Sequence, residues 1–157
     1  MTPLSKNKGF TLIELLIALT ILAVLTTMAV PVYFGHQARA QLTEAITLGG
    51  AHRVNIEDYI LSNGEFPPAS EAARLIPWIE EVDGETINRY PTVANVQLIA
   101  NEDKVTAGEI LITLADRSGI ARDIRGQSVS FERTAGGTWF CYSSVDIDIM
   151  PKGCSSR

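Results

Sequence analysis

The chain has 157 residues, with 13 basic and 18 acidic side chains, a formal charge of −5 and 46% hydrophobic residues. That length accommodates one membrane span and a domain of about 120 residues, enough to bury a modest core. An acidic exterior excludes the simplest nucleic-acid binders, whose affinity rests on clustered Lys and Arg.

Residues 1–9 (MTPLSKNKG) are polar and carry Lys6 and Lys8 without an acid. The positive-inside rule leaves this end in the cytoplasm and sends the domain beyond the span outward. From Leu15 to Phe34, twenty positions are interrupted only by Thr20, Thr26, Thr27 and Pro31. As a helix rising about 1.5 Å per residue they reach roughly 30 Å, one bilayer core. Eleven of the twenty are Leu, Ile, Val or Phe. Together they are worth about −3 to −7 kcal/mol on an insertion scale, against about +3 for one acid at the centre. The segment therefore inserts despite Glu14. A carboxylate there is costly unless it finds a cation or a polar cavity, which makes Glu14 a functional candidate. The rival reading is a secretory signal cut near Thr27-Met28-Ala29, but it leaves Glu14 unexplained, and the apolar stretch is longer than such signals use.

The run Lys8-Gly9-Phe10-Thr11-Leu12-Ile13-Glu14 resembles the class III signal of type IV pilins and related pseudopilins. The resemblance implies that a prepilin peptidase cuts between Gly9 and Phe10 and that the new Phe10 amine is N-methylated. It further implies that Glu14 matches the family's intramembrane glutamate. The Phe10 amine of one subunit then supplies the cation for Glu14 of its neighbour. Without residues 1–9 the side-chain balance is 11 basic against 18 acidic, or −7.

Pro31 lacks the N–H that would bond the Thr27 carbonyl, so a kink is expected there, either as a hinge or as a proline tolerated with help from Thr26 or Thr27. Beyond Phe34, Leu42, Ala45, Ile46, Gly49, Ile56 and Ile60 recur at three- and four-residue steps and extend the helix as an amphipathic segment to about Leu61. Gly49-Gly50 costs about 1 kcal/mol per glycine relative to alanine. It reads as a close-packing spot or as a flexible joint. His36 and His52, sixteen positions apart on this helix, read as surface or packing residues. Ser62-Asn63-Gly64 ends the helix and Phe66-Pro67-Pro68 confirms the break. Ala72, Ala73, Leu75, Ile76 and Ile79 suggest a short helix after Ser70, within a linker that ends near Pro91 and contributes Trp78 to the core.

From Thr92 the period becomes that of strands: TVANVQLIA, GEILITLA, QSVSFERT and GGTWFCYSSV. They predict a four-stranded antiparallel meander, which needs a long apolar partner on one face. The outer half of the first helix is that partner, which gives an α+β fold with a helix laid across a sheet.

Cys141 and Cys154 both lie in the last seventeen residues. A domain in an oxidising compartment would join them, closing a loop worth about 3 kcal/mol; the alternative is two independent thiols. Their spacing fits neither a CxxC redox motif nor a zinc ligand set. Met150-Pro151-Lys152-Gly153-Cys154 resembles the end of the variable loop that pilins bracket with cysteines, a region implicated in adhesion and packing. Asp146 and Asp148 could present two carboxylates together, but no calcium-loop spacing accompanies them.

No GxSxG, P-loop, HExxH or GxGxxG sequence occurs, so the chain reads as non-enzymatic, without metal or cofactor. The resemblance implies a type IVa major pilin with a leader at 1–9, a transmembrane and filament-core helix at 10–34, and a periplasmic or extracellular head at 35–157. It is anchored once in the inner membrane, then assembled into a surface pilus for adhesion, twitching motility or DNA uptake. Its expected partners are copies of itself, the prepilin peptidase, the inner-membrane assembly machinery and the membrane, with host or surface ligands open. One alternative is a type II secretion pseudopilin, against which the cysteine pair speaks. Another is a minor pilin that binds DNA, for which Arg117, Arg122, Arg125 and Arg133 form the one cluster to examine.

Overall fold

The structure, a computed structural model, describes residues 9–82 and 85–157. The expected leader, with Lys6 and Lys8, therefore lies outside the described residues apart from Gly9. Two compact units are present, the first ending at Gly35 and the second comprising His36–Arg157.

Helix α1 (Leu12–Ala51) supplies the first unit with its residues up to Gly35. Its large apolar side chains from Leu12 to Phe34 are exposed around the helix, and the segment is long and apolar enough to cross a membrane. The threonines fit that setting because their hydroxyls bond their own backbone. Thr20 donates to the Ile17 carbonyl at 2.8 Å and Thr27 to the Val24 carbonyl at 2.7 Å. Thr26 donates to the carbonyls of Leu22 and Ala23. A hydroxyl bonded one turn back carries no unsatisfied group into an apolar surrounding. Neither Thr26 nor Thr27 turns toward the Thr27 carbonyl, the group that Pro31 deprives of a donor.

In the second unit α1 is amphipathic. Ala38, Leu42 and Ala45 are fully buried, at the four- and three-residue steps of one helix face. The helical run reaches Asn63, as the periodicity suggests, with a single turn residue, His52, between the end of α1 at Ala51 and α2 (Arg53–Asn63). At this junction the Arg53 Nε donates to the Gly50 carbonyl at 3.1 Å, while the Ile56 N–H still bonds the His52 carbonyl at 3.3 Å and His52 keeps right-handed helical dihedrals. Ile56 and Ile60 of α2 continue the buried face. Gly64 closes α2 in the left-handed conformation, φ 78°, with its N–H on the Ile60 carbonyl at 2.8 Å, as a glycine cap requires.

The linker holds more structure than the sequence suggests. A 3₁₀ turn (Ala69–Glu71) and the single-turn α3 (Ala72–Leu75) replace the expected helix. A hairpin of β1 (Ile79–Val82) and β2 (Glu85–Asn88) comes next. Trp78 is buried as expected, with its ring 6.0 Å from His52 and 5.7 Å from Tyr90.

The four expected strands form as β3 (Val93–Ala100), β4 (Gly108–Leu114), β5 (Ser128–Arg133) and β6 (Trp139–Ser143), each antiparallel to the next. A fifth, β7 (Ser155–Ser156), is parallel to β6. Sequence reasoning missed it because two serines carry no alternation. Cross-strand register sets Leu98, Ile110, Phe131 and Cys141 in one row and Val96, Ile112, Val129 and Ser143 in the next. These rows form the face that joins the helices in one core.

Gly49 decides how closely helix and sheet approach. A Cβ there would lie 2.4 Å from the Phe131 ring and 2.5 Å from Ile112 Cδ1, so the close-packing reading holds. Glu57 on α2 adds a polar clamp. Arg133 of β5 donates to it from Nε at 2.8 Å and from Nη2 at 2.9 Å, and Trp139 of β6 from Nε1 at 2.6 Å. The Arg133 Nη1 also reaches the Thr106 carbonyl at 2.7 Å.

Gly49→Ala is expected to destabilise the protein by about 1–3 kcal/mol through overpacking, read as a lower urea midpoint at unchanged slope. Hydrogen bonds from Arg133 hold the Glu57 carboxyl below its ordinary range, with partial burial opposing and the Trp139 N–H adding to the effect. The stability this contributes is present above the carboxyl's unfolded-state pKa and is lost as pH falls through the depressed folded value. Glu57→Gln should cost about 1–3 kcal/mol near neutral pH and flatten this acid limb; equal Tm-against-pH curves for both proteins would refute the clamp.

Candidate functional site

The residues singled out by sequence fall in two places, one in each unit. At the N-terminal end, Gly9 and Phe10 precede the helix, both exposed, Phe10 at 81%. Nothing lies within 4 Å of a Cβ placed on Gly9, so the Gly9–Phe10 peptide bond is sterically open. Thr11 then caps α1. Its backbone N–H donates to Glu14 Oε2 at 2.9 Å and its hydroxyl to the same oxygen at 2.7 Å. The Glu14 N–H faces the Thr11 hydroxyl at 3.4 Å.

This is the reciprocal capping arrangement of Thr-x-x-Glu, which satisfies orphan donors of the first turn and sets the carboxylate at the positive end of the helix dipole. The signal is visible in Thr11-Leu12-Ile13-Glu14, but sequence reasoning treated Glu14 as a charge without local partners. Among the described residues the second oxygen, Oε1, carries no hydrogen bond. Glu14 is thus half satisfied within its own chain and open on the other side. α1 runs on past position 31 as one helix to Ala51.

In the second unit Cys141 of β6 and Cys154, just before β7, are joined in a disulfide with Cα atoms 4.5 Å apart. The bracketed loop is anchored from three sides. Val145 is fully buried, Ile149 packs on the core, and the Arg39 Nη2 of α1 donates to the Asp148 carbonyl at 2.7 Å. Ile147 remains 73% exposed. The Asp146 side chain accepts the Asp148 N–H at 3.0 Å, so one of the two carboxylates shapes its own turn. Among the described residues no group of acids, His or Cys could hold a metal ion.

Of the four arginines considered for DNA, three are engaged within the chain. Arg133 is taken up by Glu57, Arg117 donates to the Pro91 carbonyl at 2.6 Å, and Arg125 donates to the Ile120 carbonyl at 2.9 Å. Arg122 lies in a short 3₁₀ turn, Arg122–Ile124. Neither His36 nor His52 belongs to a ligand set among the described residues, and burial pushes the His52 imidazole below its ordinary range.

Comparison with known proteins gives two family matches: pilin (bacterial filament) over residues 38–155, and the prokaryotic N-terminal methylation motif over residues 4–30. The chain is 30% identical over 151 residues to the fimbrial protein EcpC of Eikenella corrodens, covering 94% of this chain and 90% of that one. It is 30% identical over 164 residues to the type IV major fimbrial protein FimA of Dichelobacter nodosus, covering 98% and 99%. With a type IV major pilin protein, PilE1, of Neisseria gonorrhoeae it shares 31% over 142 residues, 88% and 71% of the two chains.

Thr11→Ala removes the cap, at a cost of about 1 kcal/mol. Amide exchange of the full chain in detergent should then accelerate about fivefold across the first turn of α1 and remain unchanged in β4 and β5. Unchanged first-turn exchange would show that the cap contributes nothing.

Proposed function

The chain belongs to the pilin family, and we propose that it is a structural subunit of a type IV pilus, held in the inner membrane and then polymerised through Phe10–Phe34. One observation carries this reading. The first unit is an apolar helix whose large side chains are exposed, so it calls for lipid before assembly and for copies of itself afterwards.

The chemistry of assembly rests on Gly9, Phe10 and Glu14. A prepilin peptidase cleaves Gly9–Phe10, which removes the leader at 1–9 and frees an α-amino group of pKa about 8, cationic at neutral pH. N-methylation of Phe10 leaves that amine basic. Lipid tails are as apolar as leucine, so exchanging lipid for neighbouring helices gains little hydrophobic free energy. Polar pairing and close packing must select the register. The Glu14 Oε1, open on the side away from Thr11, accepts the Phe10 amine of an adjacent subunit, and a carboxylate that is costly alone becomes neutralised in the stack. Pro31 loosens the helix near the outer end of the span and lets subunits adjust.

The head at 35–157 is periplasmic before assembly and extracellular after it. The inner-membrane machinery lifts the subunit out of the bilayer. Adhesion, twitching motility and DNA uptake are all services such a filament performs through its head surface. The family is structural, and no catalytic role is assigned to any residue here.

Mass analysis of the N-terminal peptide from sheared filaments should find a chain starting at methylated Phe10; a start at Met1 or Val30 would overturn the reading. Glu14→Val should insert in the membrane normally yet reduce filament yield at least about tenfold. Normal yield would remove Glu14 from the mechanism.

A further inference from the structure

The second unit contains a groove that assembly through Phe10–Phe34 does not use. It is an open hollow of about 470 Å³ lined by the last turns of α1, the sheet and the end of the disulfide loop, of a volume comparable with small-ligand sites. Ile46, Gly50, Phe131 and Trp139 give it an apolar lining, and its charged lining residues are Arg53 and Lys152. Both are cations, in a chain with an acidic excess.

Arg53 is held in place by contacts other than an ion pair. Its Nε donates to the Gly50 carbonyl at 3.1 Å, and its guanidinium carbon sits 5.5 Å from the centre of the Phe131 ring. A Cβ on Gly50 would meet Nη2 at 3.4 Å, an ordinary contact, so the guanidinium lies beside this turn of the helix. Among the described residues neither Nη group bonds a protein acceptor, and Lys152 has no ion pair. The Nη groups of Arg39, Arg117, Arg133 and Arg157, by contrast, donate to carbonyls or carboxylates. Unpaired cations that converge on one partly apolar groove make an anion site, and a flat fork selects a carboxylate.

We propose that this groove binds a carboxylated sugar, with its carboxylate on Arg53 and Lys152 and the C–H face of its ring against Trp139. The Trp139 ring is oriented for this by its Nε1 bond to Glu57. The size of the groove suits one or two sugar rings.

The test is calorimetric titration of the full-length protein in nonionic detergent with sodium glucuronate, with glucose as the neutral control. Glucuronate should bind saturably, glucose should not, and Lys152→Gln and Arg53→Gln should each weaken binding about tenfold, the worth of one charge-assisted hydrogen bond. Lys152→Gln, which removes no intramolecular bond, keeps the test valid if Arg53→Gln fails to fold. Absence of glucuronate binding, equal binding of glucose, unchanged affinity in Lys152→Gln, or equal affinity for sulfate or an acidic dipeptide would each overturn the proposal. Filament assembly is not required for this measurement, so its outcome is separable from that of the subunit role.

Discussion

A carboxylate at the head of an apolar helix has to be satisfied wherever that helix goes, and this constraint organises the N-terminal third of the chain. Thr11 answers half of it. By giving both its N–H and its hydroxyl to one oxygen of Glu14, it ties the acid to the helix start, where the dipole also favours a negative charge. The arrangement lowers the cost of Glu14 in the isolated subunit without removing it, since the other oxygen remains available. A residue fully satisfied at home would have no reason to seek a neighbour, and one wholly unsatisfied would resist insertion. Glu14 lies between these limits, which suits a helix that must first sit in lipid and later leave it.

The head is governed by a different contact, the approach of α1 to the sheet at Gly49. Because no side chain stands there, Phe131 and Ile112 reach the helix backbone, and neighbouring rows of the sheet close over Leu42 and Ala45. The adjacent glycine has a separate use. Its carbonyl accepts the Arg53 Nε bond just before His52, with the guanidinium at ordinary contact distance. The glycine pair thus sits where the sheet packs closely and beside the one turn residue between α1 and α2.

Elements with a strong period were legible from the residues alone. Alternation located β3 to β6 almost to the residue, and the steps from Leu42 to Ile60 marked the buried helical face. The Gly64 stop and the cysteine pair were equally plain. What escaped has a common physical reason: those features depend on partners distant in sequence. β7 exists because Cys154 is pinned beside Cys141 and Arg157 pairs with Glu109 and Glu132, not because Ser155 and Ser156 favour a strand. The single turn residue at His52 leaves no mark in the periodicity. Glu57 looked like one more surface acid until Arg133 and Trp139, 76 and 82 positions away, closed on it. The Thr11–Glu14 cap is different, since it is local and readable; attention to the charge hid the hydrogen bonds.

The two halves of α1 show how one helix serves two solvents. Up to Phe34 its apolar residues cover every side, which a single protein core cannot use and lipid or a ring of equivalent helices can. From Ala38 onward the apolar residues narrow to one face, which a single sheet can cover, and polar residues such as Gln41 and Glu44 appear beside them. These polar residues also bind the head: Gln41 bonds the Gly119 carbonyl and the Ala121 N–H at 2.8 Å each, and Glu44 accepts from the buried Thr92 hydroxyl. The change in breadth of the apolar surface therefore marks the change of partner. Before it, the helix is specified by what surrounds it in the membrane or the filament; after it, by its own domain.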